Sequence, residues 1–255
     1  MTRTTALLTS SMLLTAAALL SAQQPAFLHT MTPGGARALV TADLGYGERL
    51  FAGIGPERWE QRLGAQLTLG SRFTLVAAAG FTPQNTSGAV EVLASVLPSS
   101  SRAFAALGLG GMLDYTGSAV ALGRVTAGLR GPQWEIAGNL RLERSLAAAS
   151  ARRDALDVIT SVGVSRRLGR PLRVGLEAVG EDLEGIFDPN EAEGGAKLLL
   201  GPTLAIAPTA HWQFILGGGP VLRLSQSSVI GGTTVPRDLI TRSGYVIRSS
   251  VGYTW

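Results

Sequence analysis

Acidic and basic side chains recur through this chain in alternating segments. Asp43, Glu60, Arg62, Glu91, Arg124, Glu135, Arg141, Glu143, Asp157, Arg173, Glu177, Arg223 and Arg248 share a parity with polar or small residues, and the opposite parity is mostly apolar. A β-strand turns successive side chains to opposite faces, so this spacing gathers the charges on one face. Charges of both signs on an enclosed face create a transverse field that selects small hydrophilic solutes. Alternatively, they pair across a narrow interior and satisfy one another.

Other chemistries have less to stand on. His29 and His211 are the only histidines, and nothing in the sequence sets a nucleophile and a carboxylate beside either. A carboxylate pair can act as general base, but the acidic residues read more simply as charges of that face or of loops, so no enzyme is expected. The absence of cysteine excludes a disulfide scaffold, a thiolate metal site and a lipidated N-terminal cysteine. Residues 181–195 (EDLEGIFDPNEAEGG) offer carboxylate oxygens to a hard cation but lack the spacing of a calcium loop. They read as a solvated acidic loop, and no metal site is assigned. Glycine runs at 108–111 and 217–219 fall inside strands rather than before helices, so no cofactor is expected. The formal charge of +4 rests on scattered arginines, with Lys197 the only lysine, a pattern that argues against nucleic acid.

The elements that carry these residues are strands throughout. The chain is 45% hydrophobic and only 16% charged, with 33 glycines, against about 25% charged in an average soluble domain. Beyond residue 22 no apolar run approaches the roughly 18 to 20 residues of a membrane-spanning helix, so the hydrophobicity is dispersed by alternation. Alternating segments are predicted at 36–47, 59–70, 73–81, 89–97, 103–115, 119–129, 134–143, 155–167, 172–180, 196–206, 212–224 and 245–255. That makes about twelve strands near the 9 to 11 residues that cross a bilayer at a tilt. Links after the second, fourth, sixth, eighth and tenth strands are read as short. Those after the first, third, seventh, ninth and eleventh are read as longer, and the fifth is ambiguous.

The N-terminus reads as an export signal over residues 1–22: Arg3, an apolar stretch from Ala6 to Leu20, then Ser21-Ala22 before the cut. Residues 23–35 form a Pro- and Gly-bearing lead, expected in the periplasm, and residues 36–255 carry the strands.

The last strand alternates Tyr245, Ile247, Val251, Tyr253 and Trp255 with Arg248, Gly252 and Thr254, up to the final residue. It resembles the closing strand of bacterial outer-membrane β-barrels, whose C-terminal aromatic, most often Phe and here Trp255, is read by the barrel-assembly machinery. The resemblance implies an all-β, antiparallel, up-and-down transmembrane barrel with short periplasmic turns and longer extracellular loops, placed in the outer membrane of a Gram-negative cell. Tyr253 and Trp255 would then be the assembly signal. Two aromatic girdles are expected at the membrane interfaces: Phe73, Phe104, Trp134, Trp212, Tyr253 and Trp255 at the periplasmic side, and Tyr46, Trp59, Phe81, Tyr115 and Tyr245 at the outer side. The charged parity becomes the lumen. The expected role is porin-like passage of small polar solutes, the alternative a non-conducting barrel that binds a partner through its outer loops. The expected surroundings are membrane lipid and lipopolysaccharide, with the assembly machinery as a partner in biogenesis.

Overall fold

A computed structural model of the chain describes residues 25–33, 37–47, 59–83, 85–98, 101–114, 117–146, 156–187, 195–225 and 243–255. The expected signal peptide lies outside the described residues.

The strands are β1 (Ala38–Gly47), β2 (Trp59–Leu69), β3 (Phe73–Phe81), β4 (Thr86–Ser95), β5 (Ala103–Leu113), β6 (Ala119–Arg130), β7 (Trp134–Ser145), β8 (Leu156–Arg167), β9 (Leu172–Glu181), β10 (Lys197–Ile206), β11 (Trp212–Arg223) and β12 (Gly244–Thr254). Each pairs antiparallel with its sequence neighbours, and β1 pairs with β12 to close a barrel. The closing register runs from Leu39 opposite Thr254 to Gly47 opposite Val246. At the last residue the exchange with Ala38 is completed by N–H to O contacts of 3.2 and 3.3 Å.

Parity sorts the side chains as the alternation predicts. In β2, Trp59, Leu63, Leu67 and Leu69 face outward while Glu60 is buried inside. The same division places Ile136, Leu140 and Leu142 outside and Glu135 and Glu143 inside. Large apolar residues such as Leu109, 76% exposed, stand all around the outer wall. Such a surface is unfavourable in water but is what lipid requires, and a closed ladder leaves no unpaired strand edge within it.

The connections differ from expectation in one place. The third link, predicted at residues 82–88, is only residues 82–85, closed by the Thr82 N–H to the Asn85 carbonyl at 2.9 Å. Thr86, Ser87 and Gly88 continue the ladder opposite Phe81, Gly80 and Ala79. They lack the apolar alternation that marks the strands, but at a rim a polar residue pairs through its backbone as readily as an apolar one. The fourth link, residues 96–102, is therefore longer than the third, an exception to the alternation of short and long links.

Leu109 lies midway along β5 on the outer face. Leu109→Arg is expected to cost about 2–4 kcal/mol near a bilayer midplane, measured by denaturant unfolding from vesicles. A substitution that leaves stability unchanged would show that this face does not meet hydrocarbon.

Candidate functional site

The charges expected on one face meet inside the barrel as ion pairs. Arg124 on β6 grips Glu91 on β4 in a two-pronged contact, with Nε and Nη2 at 2.7 and 2.6 Å from the two carboxylate oxygens. Glu60 on β2 is shared: Arg62 Nη2 lies at 2.8 Å and Arg248 Nη2, from β12, at 2.7 Å. Glu135 on β7 takes Arg173 at 3.2 Å and Arg130 at 3.5 Å, and Arg141 bonds Glu143 two residues along the same strand. Asp43 is hydrogen-bonded to Ser250. Arg223 sits on the inward parity at the rim away from the chain ends, its Nε donating to the Ser225 carbonyl at 3.1 Å. Arg124 with Glu91 and Arg248 with Glu60 are buried alike, but in other pairs the arginine is the more accessible partner. Arg62 and Arg141 keep 26% and 24% of their side chains exposed, whereas Glu60 and Glu143 keep 7% and 2%.

A second group of charges lies where β7 to β10 reach the far rim. Glu143 and Asp157 face each other across β7 and β8, and Lys197 Nζ is 2.8 Å from Asp182, both fully buried. The 3₁₀ turn Leu183–Ile186 follows Asp182, and Glu184 reaches back to accept the Val158 N–H at 2.9 Å. Glu181 and Asp182 are thus not the solvated acids expected of this loop: both are buried, because the buried ammonium of Lys197 draws a carboxylate inward, while Ile186 and Phe187 are exposed and residues 188–194 lie outside the described residues. Asp157, Asp182 and Glu184 each bring one oxygen within 4.8 Å of the others. Divalent-cation chemistry favours such oxygens, but Lys197 already supplies a cation to Asp182. Burial, with Asp182 and Asp157 nearby, raises Glu184 to about 7.

The largest departure concerns the lead. Residues 25–33, expected in the periplasm, lie inside the barrel and bridge its walls. Three successive N–H groups, of Leu28, His29 and Thr30, donate to the Glu177 carboxylate at 3.3, 2.8 and 2.5 Å. The Met31 carbonyl accepts from Thr126 and Asn139, both at 3.2 Å, and the Pro33 carbonyl from Arg130 at 2.9 Å. Gln213 donates to the Pro25 carbonyl, and Arg248 Nη1 lies 3.5 Å from His29 Nδ1. Phe27 packs with Ala26, Ala137 and Phe104, its ring lying on Gly163, where an added Cβ would stand 2.5 Å from ring carbons. Pro25 and Pro33 are held near the rim of the chain ends and His29 and Thr30 deeper in. A lumen whose charges exceed what they can pair among themselves offers such a segment donors and acceptors that bulk water would otherwise supply.

Beside this segment a cavity of ≈ 270 Å³ remains, lined among others by Asp43, Arg62, Glu91, Arg124, Asn139 and Arg141. One inward position below the far-rim charges Glu181, Lys197 and Arg223, Val179, Leu199, Val221 and Val246 of β9 to β12 pack together as an apolar patch. The polar stretch of the lumen is therefore partial.

The aromatic residues fall at the rims, with one correction. Tyr46 lies 4.8 Å from Trp59 and 6.2 Å from Tyr245, ring to ring, at one end. At the other, Tyr253 lies 5.0 Å from Trp212 and 5.9 Å from Trp255, and Phe73 and Trp134 are exposed there, as Phe81 is opposite. Phe104 is not part of a girdle. It shares the inward parity of Ala106 and Gly108, and its ring lies over Gly128, where any Cβ would meet it at 2.4 Å, capped by Arg130 at 4.3 Å. The glycine- and leucine-rich β5 had no clear parity in sequence, and ring size alone assigned Phe104 to the wrong face. Tyr115 lies outside the described residues.

Sequence reading also missed Arg130, Lys197, Phe27 and His29 as interior residues. Arg130 and Lys197 continue the inward parities of Arg124 and Thr203, a signal that was present. Phe27 and His29 belong to no strand and carried no periodic signal.

No protein-family model matches this sequence, and no curated protein matches it significantly. Among solved structures, the NanC porin superposes with a TM-score of 0.62 at 10% identity, covering 85% of this chain and 100% of that one. The KdgM porin gives 0.58 at 9% identity, covering 85% and 99%, and the KdgM porin in complex with disordered oligogalacturonate gives 0.59 at 9%. The fold is thus that of the porin-type transmembrane β-barrels.

Two outcomes are expected. Glu91→Ala, which strands the buried Arg124 guanidinium, should destabilise the barrel by about 3–5 kcal/mol, and Glu91→Leu with Arg124→Met should recover most of it, read by a double-mutant cycle. Because Glu184 binds its proton more tightly when docked, the Leu183–Ile186 turn should be held more firmly near pH 5 and loosen as pH rises through about 7. Hydrogen exchange of that turn reports it, and Glu184→Gln should remove the pH dependence.

Proposed function

We propose that this chain is a porin-like channel of a bacterial outer membrane, passing small polar solutes with a weak preference for anions. The observation that carries the reading is the ≈ 270 Å³ cavity inside a closed barrel, lined by paired charges of both signs. Solutes there meet Arg62 and Arg141 more than the deeper Glu60 and Glu143, so the accessible field is positive. Both chain ends face the periplasm in this reading, which puts the long 182–196 and 224–243 links outside. Tyr46, Trp59, Phe81 and Tyr245 then lie at the outer membrane interface, facing lipopolysaccharide. Phe73, Trp134, Trp212, Tyr253 and Trp255 lie at the inner one, with Tyr253 and Trp255 read by the assembly machinery.

A second reading, a non-conducting barrel acting through its outer loops, is favoured by the apolar Val179, Leu199, Val221 and Val246 cluster and by residues 25–33 in the lumen. Planar-bilayer recordings separate the two. Discrete conductance steps with a reversal potential on the anion side are expected, moving toward cations in Arg62→Glu/Arg141→Glu. A folded barrel that stays silent even after removal of residues 25–33 overturns the channel and leaves the second reading.

A further inference from the structure

We propose that residues 25–33 are a displaceable plug that closes this lumen at neutral pH and leaves it when His29 takes up a proton. The inference rests on the channel reading for its consequence, but displacement itself is measurable without it.

The contacts that seat the segment are of a releasable kind. Among the described residues it joins no strand ladder; its polar contacts are hydrogen bonds between its backbone and wall side chains, three of them converging on Glu177, and the side-chain contact of His29 with Arg248. Its anchors come from widely separated strands: Arg130 on β6, Asn139 on β7, Glu177 on β9, Gln213 on β11 and Arg248 on β12. One segment therefore spans the lumen, and losing it costs none of the barrel's own pairings. Phe27 is the apolar anchor, set on Gly163.

His29 is the weak point of this seat. Its Nδ1 faces the Arg248 guanidinium at 3.5 Å, a contact in which the imidazole must offer a lone pair. Around it stand Arg248 from β12, Arg62 and Glu60 from β2, and Glu177 from β9, whose carboxylate is already taken up by three backbone N–H groups. Burial first, then Arg248 and Arg62, hold the ring well below its ordinary 6.5, with Glu60 opposing. The seated segment thus favours neutral His29, while a released one titrates normally. Acidification below about 6.5 then favours release. A proton on the ring would set a second cation against Arg248, whose carboxylate partner Glu60 is already shared with Arg62; Asp43 of β1, held by Ser250, lines the same cavity.

The test uses the refolded full chain. The sequence has no cysteine, so Leu28→Cys, at a residue lying on Gly217, gives a single thiol within the plug. Its labelling by a bulky, membrane-impermeant thiol reagent is read against an unfolded control at the same pH. Protection at about pH 7.5 and a several-fold rise at about pH 5 are expected, with bilayer conductance rising in parallel. His29→Gln should abolish both changes, and Phe27→Ala should raise both labelling and conductance already at neutral pH. Equal labelling at the two pH values overturns the plug, whatever the conductance. A pH response that survives His29→Gln overturns the role of His29. Labelling that rises while every form stays silent overturns the channel reading and leaves displacement standing.

Discussion

An unpaired peptide N–H or C=O in hydrocarbon costs several kcal/mol, and the pairing of β1 with β12 is where this chain removes the two edges an open sheet would expose. Much of the architecture follows from that closure. With no edge to protect, the outer wall is free to be largely apolar, and it is. Once one parity is given to lipid, the other is committed to the interior, charged or not.

That commitment explains the ion pairs. A guanidinium or carboxylate in a narrow lumen loses hydration, and the loss is repaid only by a partner at hydrogen-bonding distance. Glu91 with Arg124, and Glu60 between Arg62 and Arg248, meet this demand across strands. Among the described residues Glu177 has no arginine of its own and is answered by the backbone of residues 28–30. The same pressure folds Asp182 over the rim to Lys197. Interior charge thus recruits chain from outside the barrel, and what would be a uniformly open tube contains a filled part, an apolar patch on β9 to β12 and a polar cavity.

Much of this was legible in the sequence. All twelve strands were placed from alternation, and most inward charges followed from parity, because a period of two is a property of the backbone and needs no tertiary information. Misreadings arose where that signal failed. Phe104 sits in a strand whose glycines blur the parity. Thr86 to Gly88 pair through the backbone without the side-chain alternation that marks a strand. Glu181 and Asp182 looked like solvent-facing acids because their partner, Lys197, is distant in sequence and near only in the barrel.

The sequence by itself determined the class of fold and which residues point inward, since both depend on local alternation and on where aromatics and turns interrupt it. Only the tertiary structure decided which charge pairs with which, and that residues 25–33 fill part of the space those charges enclose. Those choices depend on distances across the lumen between strands far apart in the chain, and for residues 25–33 on hydrogen bonds to five different strands, none of which leaves a periodic trace.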